Sequence, residues 1–173
     1  MQFEMSQAIE VLAGTPGVLN ALLRDKSAAW LNSRKTPEAF SPIDVVGHLI
    51  LADKTDWMPR VATILDHRDT RPFDPFDRFA FQPLMEGKSI AELLDDFSEV
   101  RRQSLQTLSA LHLGEHELDL RGLHPDLGAV TLGNLLATWV VHDLGHISQI
   151  VKAMSSAYSD AVGPWRAYLS ILN

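Results

Sequence analysis

The chain has 173 residues, a formal net charge of −7 and no cysteine. This length suits one folded unit, so we expect a single domain over residues 1–173. The lack of thiols excludes disulfides, iron–sulfur clusters and a cysteine nucleophile, and a metal site must therefore use His, Asp or Glu. The acidic charge argues against a nucleic-acid partner, because that binding relies on clustered Lys and Arg.

The N-terminal sequence MQFEMSQAIEVLAG lacks the basic segment and apolar run of a signal peptide. No window approaches the roughly 20 apolar residues that a membrane span needs. We therefore expect no membrane partner and a cytoplasmic location.

Apolar residues recur at helical spacing in four blocks, and none of them shows the strict alternation of a half-buried strand. The first predicted helix covers residues 4–25. The second begins at Ser41, where Asp44 completes a reciprocal cap. It continues towards His67, and Pro59 should either bend it or lie in the first turn of a new helix.

The third predicted helix opens at Ser89, which is followed by Glu92 in the same capping pattern, and it should end by Gly114. The fourth follows Thr131 and runs to about Ala157, a length of roughly 40 Å. Four such helices predict an all-α fold, a four-helix bundle with long loops between its helices.

Two of the connections are unusually long for a compact bundle, residues 68–88 and residues 113–130. Loops of this length are usually functional or mobile. The first carries more aromatic surface than a small monomer normally exposes, and we expect it either to form a homodimer contact or to fold back over the bundle end. The rings concerned are those of Phe73, Phe76, Phe79 and Phe81.

Three histidines are the strongest functional signal. His142 and His146 are one helical turn apart, so both rings project from the same face. This spacing alone arises by chance in many helices, but His48, in the apolar stretch VVGHLILA, adds a third imidazole. Three neutral imidazoles predict a site for a divalent ion such as zinc, nickel or iron(II), with a position left for water or substrate. Each histidine taken alone is equally consistent with a hydrogen-bonded core residue.

Two polar residues are candidates to orient the imidazole rings, Asp44 and Gln149, although helix capping is the preferred role of Asp44. Because ligation requires neutral imidazole, we expect metal affinity to fall as the pH drops through roughly 6.5. Other enzyme motifs fail on their spacing. A di-iron bundle needs Glu-x-x-His on two helices, and the chain has none.

The segments SPIDVVGHL, GLHPDLGAVTLGNLLATWVVHDLGHISQI and VGPWRAYLSIL resemble the DinB/YfiT-like metal-binding four-helix bundles. The resemblance spans most of the chain. It implies the fold of that family and places His48, His142 and His146 on its metal triad. Characterised relatives include transferases that use low-molecular-weight thiols such as bacillithiol, and a mycothiol-dependent isomerase.

The resemblance and the histidines together predict a metal-dependent transferase or hydrolase, in which a thiol cofactor or water attacks a small electrophilic molecule. The alternative is a non-catalytic metal-binding module of the stress response, whose ion stabilises the fold. An open coordination position reached by solvent favours the enzyme. Four protein ligands in a closed cavity favour the module.

Overall fold

Helices dominate the computed structural model, which describes residues 3–172. The elements in chain order are α1 (Met5–Leu23), α2 (Ala28–Leu31), α3 (Pro42–Thr55), α4 (Trp57–His67), α5 (Gln82–Met85), α6 (Ile90–Ala110), α7 (Glu115–Leu118), β1 (Arg121–His124), β2 (Gly128–Thr131) and α8 (Leu132–Ser156). Short 3₁₀ turns cover Arg68–Thr70, Gly163–Tyr168 and Ser170–Leu172. The four long helical blocks, α1, α3 with α4, α6 and α8, form the predicted four-helix bundle.

The bundle core lies between these long helices. Both α1 and α3 pack mainly against α6 and α8. Two clusters of buried apolar side chains fill the interior, one including Leu49 and Phe97 and the other including Trp57 and Trp139. Within residues 3–172, no helix is both long enough and apolar enough to cross a membrane.

Local capping fixes where two of the bundle helices begin, as the sequence predicts. The Ser41 backbone N–H donates to Asp44 Oδ2 at 2.9 Å, and the Asp44 N–H donates back to the Ser41 hydroxyl at 3.4 Å. Ser89 and Glu92 repeat this arrangement at the start of α6. Each pair satisfies two backbone donors that a helix start otherwise leaves without partners.

The second predicted helix is divided at Asp56, and Pro59 lies in the first turn of α4. This confirms the expectation of a restart, because Pro59 has no N–H to continue the α3 hydrogen-bond ladder. The break sits eight residues after His48 in the chain. It leaves the Asp56 carboxylate and the Trp57 ring buried in the bundle.

The second long connection contains a β-hairpin, which the expectation of no strands missed. Strands β1 and β2 pair antiparallel, with Arg121 opposite Thr131, and Gly128 adopts a φ of +76° at the turn. Four-residue strands are too short for alternation to stand out in the sequence. Gly122 faces the bundle, and a Cβ there would lie 3.0 Å from Phe73 Cζ.

The first long connection folds back over the bundle, which is the second of its two expected arrangements. Phe73 and Phe81 are buried and Phe76 is half-buried, whereas Phe79 is 49% exposed. The Phe73 N–H donates to the Leu123 carbonyl at 3.0 Å, which ties this loop to the hairpin.

Candidate metal centre

The three predicted histidines come together in the interior of the bundle. His48 projects from α3, and His142 and His146 project from α8. The Nε2 atom of His142 lies 3.2 Å from His48 Nε2 and 3.0 Å from His146 Nε2. The three residues form a group whose ligand atoms all lie within 4.8 Å of one another.

The spacing of these nitrogens fits a divalent ion. Zinc–nitrogen bonds of about 2.0–2.1 Å at tetrahedral angles place neighbouring nitrogens roughly 3.3 Å apart. The two separations that involve His142, 3.2 and 3.0 Å, are close to that value, and all three ligand atoms lie within 4.8 Å of one another. The group therefore matches the open three-ligand sets that leave a position for water or substrate.

Hydrogen bonds on the outer nitrogens turn two of the rings so that their lone pairs face the centre. His48 Nδ1 lies 3.3 Å from the Arg78 carbonyl oxygen, and His146 Nδ1 lies 2.9 Å from Gln149 Oε1. A carbonyl oxygen only accepts, so each Nδ1 carries the proton and each Nε2 presents a lone pair. Gln149 thus orients His146, as the sequence suggested, while Asp44 serves as the cap of α3.

His142 closes the group from a different environment. Its Nδ1 is buried without a hydrogen-bond partner, and Asp143 Oδ1 stands 3.9 Å away. The His142 and Trp57 rings pack edge to face with their centroids 5.0 Å apart, and Trp57 stacks on Trp139 with a centroid distance of 5.6 Å. A proton on His142 Nε2 can be donated to one facing lone pair only, whereas a cation satisfies all three nitrogens.

Burial keeps two of the imidazoles, those of His48 and His146, neutral. Burial, followed by the proximity of His142, lowers the pKa of His48 to about 4. Burial, followed by His142 and His48, lowers the pKa of His146 to about 3. Both rings therefore stay neutral, as metal ligation requires, at pH values well below their ordinary titration range.

A second polar cluster lies beside the histidines, and the sequence analysis missed it. Arg101 of α6 is 1% exposed and makes ion pairs with Asp53 at 2.7 Å and with Asp143 at 2.5 Å. Burial raises the pKa of Asp53. Burial alone would raise the pKa of Asp143 too, but contacts with His142 and Arg101 hold it below its ordinary value.

One further acidic group lies near the site. Asp56, at the break between α3 and α4, is buried and pairs with Arg60 at 2.7 Å. Burial raises the pKa of Asp56, opposed by the charges of Arg60, His142 and His124. The remaining histidines lie outside the group: His67, His112 and His116 are exposed, and His124 accepts hydrogen bonds from the backbone of its own turn.

Comparison with known proteins supports the family of the fold. Residues 12–150 match the model of the family described as the DinB superfamily. A solved structure of YfiT from Bacillus subtilis, described as a probable metal-dependent hydrolase with an unusual four-helix bundle topology, aligns with a TM-score of 0.72 at 22% identity. The alignment covers 87% of this chain and 85% of that one. A search of curated protein sequences finds no match.

Proposed function

The chain belongs to the DinB superfamily, and on that premise we propose that His48, His142 and His146 bind a divalent metal ion. The observation that carries the proposal is the convergence of three imidazole nitrogens, two of them with lone pairs turned inward by hydrogen bonds on the far side of the ring. Zinc, nickel and iron(II) all suit such a ligand set.

We further propose that the protein is an enzyme, a thiol transferase or hydrolase that acts on an electrophilic small molecule. A bound divalent ion supplies Lewis acidity, which lowers the pKa of a thiol or of water into the neutral range. The thiol would be a low-molecular-weight cofactor of the bacillithiol or mycothiol type. The solved neighbour YfiT is described as a probable metal-dependent hydrolase, which supports the same general chemistry.

The openness of the site favours an enzyme over a closed metal-binding module. Among the described residues, the group contains three potential ligands, and the His142 side chain is 22% exposed. A stress-response module stabilised by its ion needs no such exposed ligand. Around the histidines, the Phe76 ring contacts His48 and the Trp57 ring contacts His142, so apolar surface covers that side of the cluster.

Metal binding is tested first, by metal analysis of purified variants. Replacing His48, His142 or His146 with Ala should sharply lower the bound metal, because each removes one of three ligands. The matched control is His67→Ala, at an exposed histidine outside the cluster. Equal occupancy in all four variants would rule the triad out.

Catalysis is tested with metal-loaded protein and a panel of epoxides, alkyl halides and activated esters. Bacillithiol, mycothiol, glutathione and water are compared as nucleophiles. We expect a metal-dependent rate with at least one pair, and its loss in His146→Ala. If metal-loaded protein shows no such rate, the non-catalytic module becomes the better account.

A single domain over residues 1–173, a homodimer and a cytoplasmic location also remain proposals. The loop that motivated the dimer exposes only Phe79 among its four phenylalanine rings, with Phe76 half-buried, so its support is smaller than the sequence suggested. Sedimentation analysis across micromolar concentrations decides the assembly. A monomer throughout that range would eliminate the homodimer.

A further inference from the structure

A small cleft adjoins the histidine cluster on the side of Phe40 and Gln149. Its volume is about 280 Å³, and Lys35 and Lys152 are among the residues that line it. Two of its lining side chains contact the cluster: the Phe40 ring lies 5.6 Å from the His48 ring, and Gln149 accepts from His146. A ligand in this cleft therefore lies one side chain away from the imidazoles.

A third cation, from the first long loop, does not line the cleft but contacts Phe40, a side chain that does. The Arg78 guanidinium lies over the Phe40 ring at 5.3 Å and over the Phe79 ring at 4.7 Å. The Arg78 carbonyl accepts from His48. Arginine stacked on aromatic rings keeps its donors in a fixed plane, ready for an oxyanion.

These three cations make no ion pair within the described part of the chain. In residues 3–172, the ion pairs involve none of Lys35, Arg78 and Lys152. Asp77, the chain neighbour of Arg78, accepts from the Phe79 N–H and makes no ion pair with Arg78, and Asp44 pairs with Arg34. The described residues that line the cleft include no carboxylate.

The pattern is unusual for a chain with a formal charge of −7. A concave surface lined by one sign of charge attracts ligands of the opposite sign. The neutral imidazoles supply no negative charge to it. A solvated basic surface would explain the two lysines alone, but it would not explain an arginine fixed on two aromatic rings beside a metal-ligating histidine.

We propose that the cleft binds the anionic end of a small ligand, a carboxylate or phosphate oxyanion held by Arg78, Lys35 and Lys152. This rests on the proposed function in one respect: the ligand is the substrate or thiol cofactor of the histidine site. It names the chemical class of that molecule. The other end of the ligand would then extend past Phe40 or Gln149 towards the histidine cluster.

The test is calorimetric titration of metal-free protein at low ionic strength with succinate, with its neutral analogue succinamide and with methyl phosphate. We expect succinate or methyl phosphate to bind at least roughly tenfold more tightly than succinamide, because charge-assisted hydrogen bonds are made only by the anions. The stronger of the two anions identifies the group. The preference should shrink as salt is added.

Variants locate the site. Arg78→Gln should weaken anion binding about tenfold, and Lys35→Gln and Lys152→Gln by smaller factors. The matched control is Lys54→Gln, at an exposed lysine of α3 that does not line the cleft. Equal binding of succinate, methyl phosphate and succinamide would overturn the proposal, and so would an equal loss in Arg78→Gln and Lys54→Gln.

Anion binding is tested independently of the proposed enzyme activity, because the titration needs no metal and no turnover. Anion selectivity without any metal-dependent rate would retain the cleft and refute the enzyme. Metal-dependent turnover with no anion selectivity would do the reverse. A second readout links the two: cobalt-loaded protein should bind 3-mercaptopropionate more tightly than 2-mercaptoethanol, and Arg78→Gln should remove the difference.

Discussion

Two polar clusters lie side by side on the same two helices and are built on opposite principles. The histidine cluster uses His48 of α3 and His142 of α8, and the arginine cluster uses Asp53 and Asp143 of the same helices together with Arg101 of α6. In the first, lone pairs face one another across about 3 Å. In the second, every donor has an acceptor.

The arginine cluster is fully satisfied within the protein. The guanidinium makes five hydrogen bonds, two to Asp53, two to Asp143 and one to the Leu12 carbonyl, which matches its five donors. A buried charge that is paired in this way is structural. The histidine cluster leaves lone pairs facing one another, and that difference supports the proposal that a cation binds there and that this cluster carries the function.

The largest expected effect comes from breaking the arginine cluster. Arg101→Met leaves two buried carboxylates without a counter-charge and should destabilise the fold by about 3–5 kcal/mol. Urea unfolding measures this, with Arg102→Met as the control at the neighbouring exposed arginine. Replacing Asp53 and Asp143 with Leu in the same chain should restore most of the stability. Equal unfolding midpoints for Arg101→Met and Arg102→Met would show that the pairing is not structural.

The sequence predicted the elements whose signals are local. The capping boxes at Ser41 and Ser89 and the restart at Pro59 depend on residues within one helical turn, so they could be read directly. The hairpin could not be predicted, because its pairing joins Arg121 to Thr131, ten residues apart in the chain, and depends on packing against Ile64 and Phe73.

The same limit applies to the two clusters. The histidines were found because their helical spacing and a family resemblance coincide. From the sequence, no role is predicted for Arg101, although this residue continues the inward row of Leu94 and Phe97 towards Leu108 at helical spacing. A charge in an apolar row signals a buried partner. Which acids it meets depends on how α6 packs against α3 and α8, and that is visible only in three dimensions.

The next largest effect on stability concerns the histidine cluster. A divalent ion that binds only the folded state should raise stability by about 2.7 kcal/mol when its free concentration is about 100 times the dissociation constant. The readout is the urea midpoint with zinc against the midpoint with a chelator. His67→Ala should keep this gain and His146→Ala should lose it. A gain of the same size in His146→Ala would place the ion elsewhere.

Acid should also weaken the fold through the histidine cluster. The folded-state pKa values of His48 and His146, about 4 and about 3, lie below the value near 6.5 expected for the unfolded chain. The unfolded state therefore binds more protons, and metal-free protein should lose stability as the pH falls from about 6.5 towards 4, by up to about 1.4 kcal/mol per pH unit for each histidine. Because these pKa values are lowered, protons should compete with a metal for His48 and His146 only at a pH below the value of about 6.5 expected from free imidazole.

Unfolding midpoints between pH 7 and pH 4.5 measure this dependence in the presence of a chelator. The double variant His48→Gln/His146→Gln should have a flatter profile than the parent chain. His67→Gln, at an exposed histidine, should leave the profile unchanged. An unchanged slope in the double variant would assign the pH dependence to other groups.

The smallest expected effect concerns the hydrogen bond that turns the His146 ring towards the proposed ion. Gln149→Leu removes the acceptor 2.9 Å from His146 Nδ1, and loss of such an orienting partner should lower metal affinity about tenfold. Gln149→Glu keeps an acceptor and should retain most of the affinity, and Ser148→Ala is the neighbouring control. Metal-free protein should lose about 1–3 kcal/mol at most, because the His146 Nδ1–H loses its acceptor, so metal affinity is the deciding measurement. If metal affinity stays constant while the metal-free protein is destabilised, the role of Gln149 is structural, like that of the residues in the arginine cluster.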